Sequence, residues 1–242
     1  MRRFLVALLA ACPAAFAQGG ADSRELVGQL GGRTAVLQLH ENPRTDGSVR
    51  LSGEYLILPT LRRRFLEGER SRQLGVTFLK EGNSPILYGR PATATLQGTW
   101  VDGQFNGVRY APGGQERERF EFSEKFPDME HYSAEVRCEL EEGRYAASLH
   151  YAVTMGKLQQ LDWRSRVSPG GHSCGVMQPV QQPFEGGLRF AAGRCHVTLR
   201  DLGEYVRVSA ENCAEFCGSQ AYFEPVLVDR REGCQLLRPQ SR

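Results

Sequence analysis

The sequence predicts an all-β protein built as two antiparallel β-sandwich or barrel-like domains, the C-terminal one stapled by disulfides and carrying one short helix. Three observations predict it. Apolar and polar residues alternate at period two in most segments of the 242-residue chain, the mark of half-buried antiparallel strands. Gly, Pro, Asn and Asp punctuate those segments at short intervals, as turns do. All cysteines but Cys12 lie at or beyond Cys138, so the staples belong to the second half alone.

The N-terminal β domain is expected over residues 26–125. Its lead, Glu25 to Gly32, carries three glycines and is a poor helix. Strands then follow in order. Ala35, Leu37 and Leu39 alternate with polar neighbours, as do Val49, Leu51, Gly53, Tyr55 and Ile57. Leu74, Val76 and Phe78 make a third segment, Ala94 to Trp100 a fourth, and Phe120 with Phe122 a fifth. Asp46-Gly47, Asp102-Gly103 and Pro112-Gly-Gly114 supply explicit turn chemistry between them.

Phe126 to His131, with Pro127 and its charges, interrupts the pattern and marks the domain junction. The C-terminal disulfide-rich β domain is expected over 131–238. Tyr132, Ala134, Val136, Cys138 and Leu140 share one strand face; Tyr145, Ala147, Leu149, Tyr151 and Val153 share another. Leu161 and Trp163 precede a loop from Ser168 to Gly187. Further strands start at Cys195 and Tyr205. The one helix-like piece is Ser209 to Gly218, with Ser209 as N-cap and Gly218 as C-cap.

Residues 1–17 read as a secretory signal peptide: a basic start at Arg2-Arg3, an apolar core from Phe4 to Ala11, and the small-x-small exit Ala15-Phe16-Ala17. Leu9-Ala10-Ala11-Cys12 also fits a bacterial lipobox, in which case Cys12 would be lipidated and the protein anchored to a membrane. Either way the expectation is export, to the periplasm. Cleavage after Ala17 leaves basic and acidic residues equal in number, so no basic field argues for nucleic acid.

The other six cysteines, Cys138, Cys174, Cys195, Cys213, Cys217 and Cys234, form an even set in an exported chain and read as structural disulfides. Sequence cannot choose among their pairings. Cys213 and Cys217, one helical turn apart, fit a bridge to each other better than a metal site or a redox pair, since no paired Cys/His half accompanies them.

Further residue sets bear on chemistry. Gly171-His-Ser173-Cys-Gly175 matches the nucleophile elbow Gly-x-Ser-x-Gly, whose serine is lifted by a buried strand turning into a helix. Its flanks, Ser168-Pro-Gly and Met177-Gln-Pro179, support neither element, so the reading is a glycine loop pinned by a disulfide and Ser173 is not assigned catalysis. Arg62, Arg63, Arg64, Arg70 and Arg72 form the densest positive run: a docking strip for an anionic partner on one reading, a solvated edge strand on the other. Glu139, Glu141 and Glu142 are expected at a turn rather than in a glycosidase cleft. The histidines show no ligand spacing, and Trp100 and Trp163 are expected in core or interface. No cofactor or metal is implied.

Gly31-Gly32 leading into Ala35 to Leu39, then Gly53-Glu-Tyr55, resembles the strand-repeat region of functionally uncharacterised proteobacterial periplasmic β-rich proteins. Cys213 to Cys217-Gly218, running on to a strand and a last cysteine, is similar to the tail of such proteins. The resemblance implies compartment and β-rich class, and brings no activity.

The resulting expectation is a non-enzymatic exported envelope protein that binds a macromolecular partner, either a protein or an envelope component, as an inhibitor or immunity-type protein would. The alternative is a periplasmic carrier or sensor of a small apolar or lipid ligand, held in a pocket lined by Tyr55, Phe78 and Trp100.

Overall fold

A computed structural model describes residues 22–87, 89–168, 172–218, 221–231 and 233–237. Residues 1–17, Cys12 and Gly171 therefore lie outside the described residues. The described chain is all-β, and its only helical piece is a single 3-10 turn, Ala214–Phe216. The helix expected over Ser209 to Gly218 is replaced by strand through Glu211 and then this turn, because Ser209 pairs with Thr198 in a sheet ladder instead of capping a helix.

Eight strands form a closed antiparallel barrel in simple meander order: β1 (Asp22–Leu30), β2 (Arg33–Pro43), β3 (Val49–Ile57), β4 (Arg62–Arg70), β5 (Val76–Gly82), β6 (Ala94–Val101), β7 (Gln104–Tyr110) and β8 (Arg117–Ser123). Pairing of Gly28 with Phe122 and of Leu30 with Phe120 closes β1 onto β8. The period-two residues face inward, and Leu26, Leu37, Leu39, Tyr55, Leu96, Phe105 and Phe120 are among those packed into one buried cluster. So small a cylinder needs room for its aromatics. Gly98 pairs with Gly107, and a Cβ on either would come within 2.8 Å or less of the Phe120 ring. Two facing glycines make the space that one phenyl ring fills.

Two further sheets follow. One has four strands in the order β12-β11-β10-β9: β9 (Ala134–Glu142), β10 (Tyr145–Thr154), β11 (Lys157–Val167) and β12 (His172–Met177). The other has six in sequence order: β13 (Val180–Gln182), β14 (Leu188–Ala192), β15 (Cys195–Asp201), β16 (Tyr205–Glu211), β17 (Val226–Asp229) and β18 (Gly233–Leu236). Buried residues of both sheets, Leu149, Tyr151 and Trp163 from one and Phe190, Val197 and Val208 from the other, form a single cluster between them. The loop expected from Ser168 to Gly187 thus contains two strands, β12 and β13.

Three disulfides hold this part together. Cys138–Cys234 joins β9 to β18, Cys174–Cys217 joins β12 to the residue after the 3-10 turn, and Cys195–Cys213 joins the start of β15 to the residue before that turn, just beyond β16. Cys213 and Cys217 are not bridged to each other: the segment between them is a 3-10 turn instead of an α-helical one, and each reaches a different strand. The bridges point to an oxidising, exported environment. No described helix is long and apolar enough to cross a membrane.

The barrel wall packs on the six-stranded sheet through Val27, Val36, Leu58 and Leu61 against Leu202, Tyr205 and Leu227. Glu25 on β1 reaches across to Arg200 and Arg207, accepting hydrogen bonds from both. Burial alone would raise the Glu25 pKa, but the hydrogen bond and charge of Arg207, then the charge of Arg200, hold it below the usual carboxylate range.

Candidate interaction surface

The alternation of β10 is unbroken: Tyr145, Ala147, Leu149, Tyr151 and Val153 are buried, while Ala146, Ser148 and His150 look outward. Its neighbours follow the same pleat, so the outer face of the four-stranded sheet is a set of rows that the registers define. One row is Glu141, Ala146, Arg166 and Ser173; the next is Glu139, Ser148, Arg164 and Gly175; the third is Arg137, His150, Asp162 and Met177. The small side chains of Ala146, Ser148, Ser173 and Gly175 leave a trough of about 690 Å³ between walls of charge.

Two of the walls are partly neutralised within their own strands. Arg164 donates two hydrogen bonds to Asp162, both at 3.0 Å, and Arg137 donates one to Glu135 at 2.8 Å. Glu139, Glu141 and Arg166 have no ion-pair partner among the described residues. Carboxylates two positions apart on one strand, beside guanidiniums two strands away, make a surface that offers both signs of charge to whatever lies over it. The glutamates expected at a turn are in fact strand residues, because the turn falls later, at Gly143-Arg144.

Ser173 lies on this face, exposed, on the edge strand β12. β12 runs on through Ser173 as antiparallel strand, with Cys174 turned inward to its disulfide and the Ser173 carbonyl accepting a bond from the Gly218 N–H at 2.9 Å. The segment is therefore strand rather than a glycine loop, though pinned by the disulfide as expected. It offers no strand-to-helix elbow.

The five arginines Arg62, Arg63, Arg64, Arg70 and Arg72 do not share one surface. The pleat of β4 splits them, and β4 is not an edge strand, since β3 and β5 flank it. Arg63 looks outward and pairs with Glu54, whereas Arg64 and Arg70 turn into opposite mouths of the barrel. Arg62 opens the strand beside Ile57, and Arg72 lies in the following turn near Gly47.

Each mouth is closed by a buried glutamate. At one end Glu81 accepts two hydrogen bonds from Arg109, one from the Tyr55 hydroxyl at 2.6 Å and one from Thr93 at 3.0 Å, with Arg64 at 3.4 Å. Burial by itself would raise the Glu81 pKa, but the bonds from Arg109 and Tyr55 hold it below the usual range. At the other end Glu41 is paired with Arg24 and Arg70, and Arg24 lies over the Trp100 ring.

Of the residues expected to line a ligand pocket, Tyr55 is buried in this packed interior, Trp100 stacks on Phe105 near one mouth, and Phe78 is on the outer wall, 40 % exposed. They do not converge. Trp163 is fully buried beside Phe223, as a core tryptophan should be. A second groove, about 930 Å³, runs between the barrel exit at Glu124 to Glu130 and the loop from Gln181 to Leu188. Its aromatics are already occupied: Arg200 sits 4.3 Å from the Phe126 ring and 5.3 Å from that of Phe184. No group of three or more His, Cys, Asp or Glu among the described residues could hold a metal.

Sequence reasoning missed Arg137, Asp162, Arg164 and Arg166. The signal was present in the outward positions of strands whose inward faces the alternation had marked. No family model, no curated protein and no solved structure matches the chain.

Proposed function

We propose that the chain is a non-enzymatic, exported, two-domain protein of a Gram-negative envelope that binds a macromolecule across the outer face of β9–β12. One observation carries the reading: the charged rows over a floor of alanine, serine and glycine, with Glu139, Glu141 and Arg166 left without ionic partners among the described residues. A macromolecular partner satisfies such a face because it can present complementary charge over several rows at once. The three disulfides support the compartment, since they fix the sheet against unfolding outside the cytoplasm. An inhibitor or immunity-type role is one use of such a rigid face. The filled barrel lends no support to a carrier of apolar ligands.

Immobilised protein challenged with envelope extract of cells that produce it tests the reading. The expected result is a macromolecule retained by the native face and lost with Arg164→Glu combined with Arg166→Glu. Retention unchanged by that double variant would remove this face from consideration.

A further inference from the structure

The rows have a symmetry that a foreign partner would not require. Along the outward positions of β9 the charges run positive, negative, negative at Arg137, Glu139 and Glu141. Along β11, at the same levels, they run negative, positive, positive at Asp162, Arg164 and Arg166. Between them β10 presents His150, Ser148 and Ala146, without a carboxylate, lysine or arginine. At these three levels the face is thus opposite in sign on the two sides of β10; at the next level Glu135 lies across from the neutral Gln160.

We infer that the partner of this face is a second copy of the chain, docked about a twofold axis that lies parallel to the strands over β10. The inference rests on the proposed use of this face for macromolecular binding and names what it binds. A rotation about that axis keeps each level and exchanges β9 with β11. Arg137 of one copy then faces Asp162 of the other, Glu139 faces Arg164, and Glu141 faces Arg166, each pair occurring twice as an isologous contact demands. Strands of the two sheets run aligned, the arrangement twisted sheets adopt when stacked face to face about 10 Å apart. Residues on the axis must meet their own copies, and these are His150, Ser148 and Ala146, with no carboxylate, lysine or arginine among them. An axis lying over β11 instead of β10 would set Arg164 over Arg164 and Arg166 over Arg166, so the pattern rejects that alignment.

Size sets the strength. The axis over β10 overlaps only β9, β10 and β11, and three strands of about seven residues cover about 330 Å² of sheet per copy, below what a stable dimer buries and within the range of a transient contact. Its contacts are ionic and Ala146 and Ser148 on its axis are small, so the dimer is weak, wet and sensitive to salt.

Sedimentation of the purified protein measures it. Reversible dimer is expected at about 100 µM in low salt, with the dissociation constant rising about tenfold or more between about 50 mM and about 500 mM salt. Arg164→Glu with Arg166→Glu should be monomeric, and so should Glu139→Arg with Glu141→Arg. Mixed in equal amounts, these two double variants should form a heterodimer, because the acidic strands of one then lie over the basic strands of the other. Circular dichroism and melting of each variant confirm that the sheet is intact; the substituted side chains are exposed, so folding should survive. Wild-type protein that stays monomeric at all concentrations in low salt overturns the inference, as does a mixture that fails to associate. A monomeric wild type that still retains an envelope macromolecule through Arg164 and Arg166 overturns self-docking alone and leaves the proposed function standing. A monomer that retains nothing overturns both.

Discussion

Arg109 grips Glu81 inside the barrel mouth with two hydrogen bonds, Nε to Oε2 at 2.7 Å and Nη2 to Oε1 at 3.0 Å. Glu81 is fully buried, so this fork is what keeps its charge tolerable. Glu81→Ala should cost about 3 kcal/mol, because Arg109, Tyr55 and Thr93 would lose the buried acceptor they share, although Arg109 keeps its bond to Glu118. Urea unfolding of the variant measures it. A companion, Glu81→Leu with Arg109→Met, should recover part of the loss, since apolar replacement of both members of a buried pair is often neutral, while Arg64 and Glu118 each lose a partner.

Stability should fall at both extremes of pH. Glu81 and Glu25 titrate below their ordinary range in the fold, so the unfolded chain takes up protons first. Their contribution is complete above about pH 4.5 and is lost as pH drops through the depressed values. Tyr55 and Tyr151 behave in the opposite sense: burial, then the neighbouring Glu81 or Tyr132, raises both. Their contribution is complete below about pH 10 and is lost as the unfolded chain ionises above it. Denaturant midpoints across the pH range should trace a plateau with two falling sides. A midpoint that rises below pH 4 would contradict the assignment.

The disulfides should not be equal. Cys138–Cys234 closes 96 residues of chain and Cys195–Cys213 only 18. On loop entropy the first contributes about 5 kcal/mol and the second about 3. Paired Cys→Ala variants compared by thermal melting should therefore rank in that order.

Gly107→Ala should destabilise by about 2 kcal/mol or more, because its Cβ would lie 2.1 Å from the Gln97 carbonyl oxygen and 2.6 Å from the Phe120 ring. Gly32, at positive φ with open space around it, should tolerate alanine at about 1 kcal/mol. Melting temperatures of the two variants decide whether close approach or backbone conformation dominates.

Period two made the strands of both halves legible where one face is buried, as in Leu37 and Leu39 or in Tyr145 to Val153. It failed where the inward face is itself charged. Arg64 and Arg70 look like solvent residues in sequence, and only their pairing with Glu81 and Glu41, brought near by the closed sheet, reveals them as interior groups. β13 and β14 were hidden by Pro179, Pro183 and the glycines around them. The cysteine pairings are non-local, so no spacing rule reaches them. The rows of the candidate surface needed both the outward positions and the strand registers. Sequence supplies the first, and only the ladder supplies the second.

Closure of β1 onto β8 uses residues 22–123 alone, a span without a single cysteine. The hydrogen-bonded cylinder can thus complete itself irrespective of the redox state around it. A chain emerging N-terminus first would present a finished barrel before Cys138, the first of the bridging thiols, had arrived. Oxidation then becomes a late step of maturation, confined to the second half, whose two sheets it staples to each other beside a wall already built.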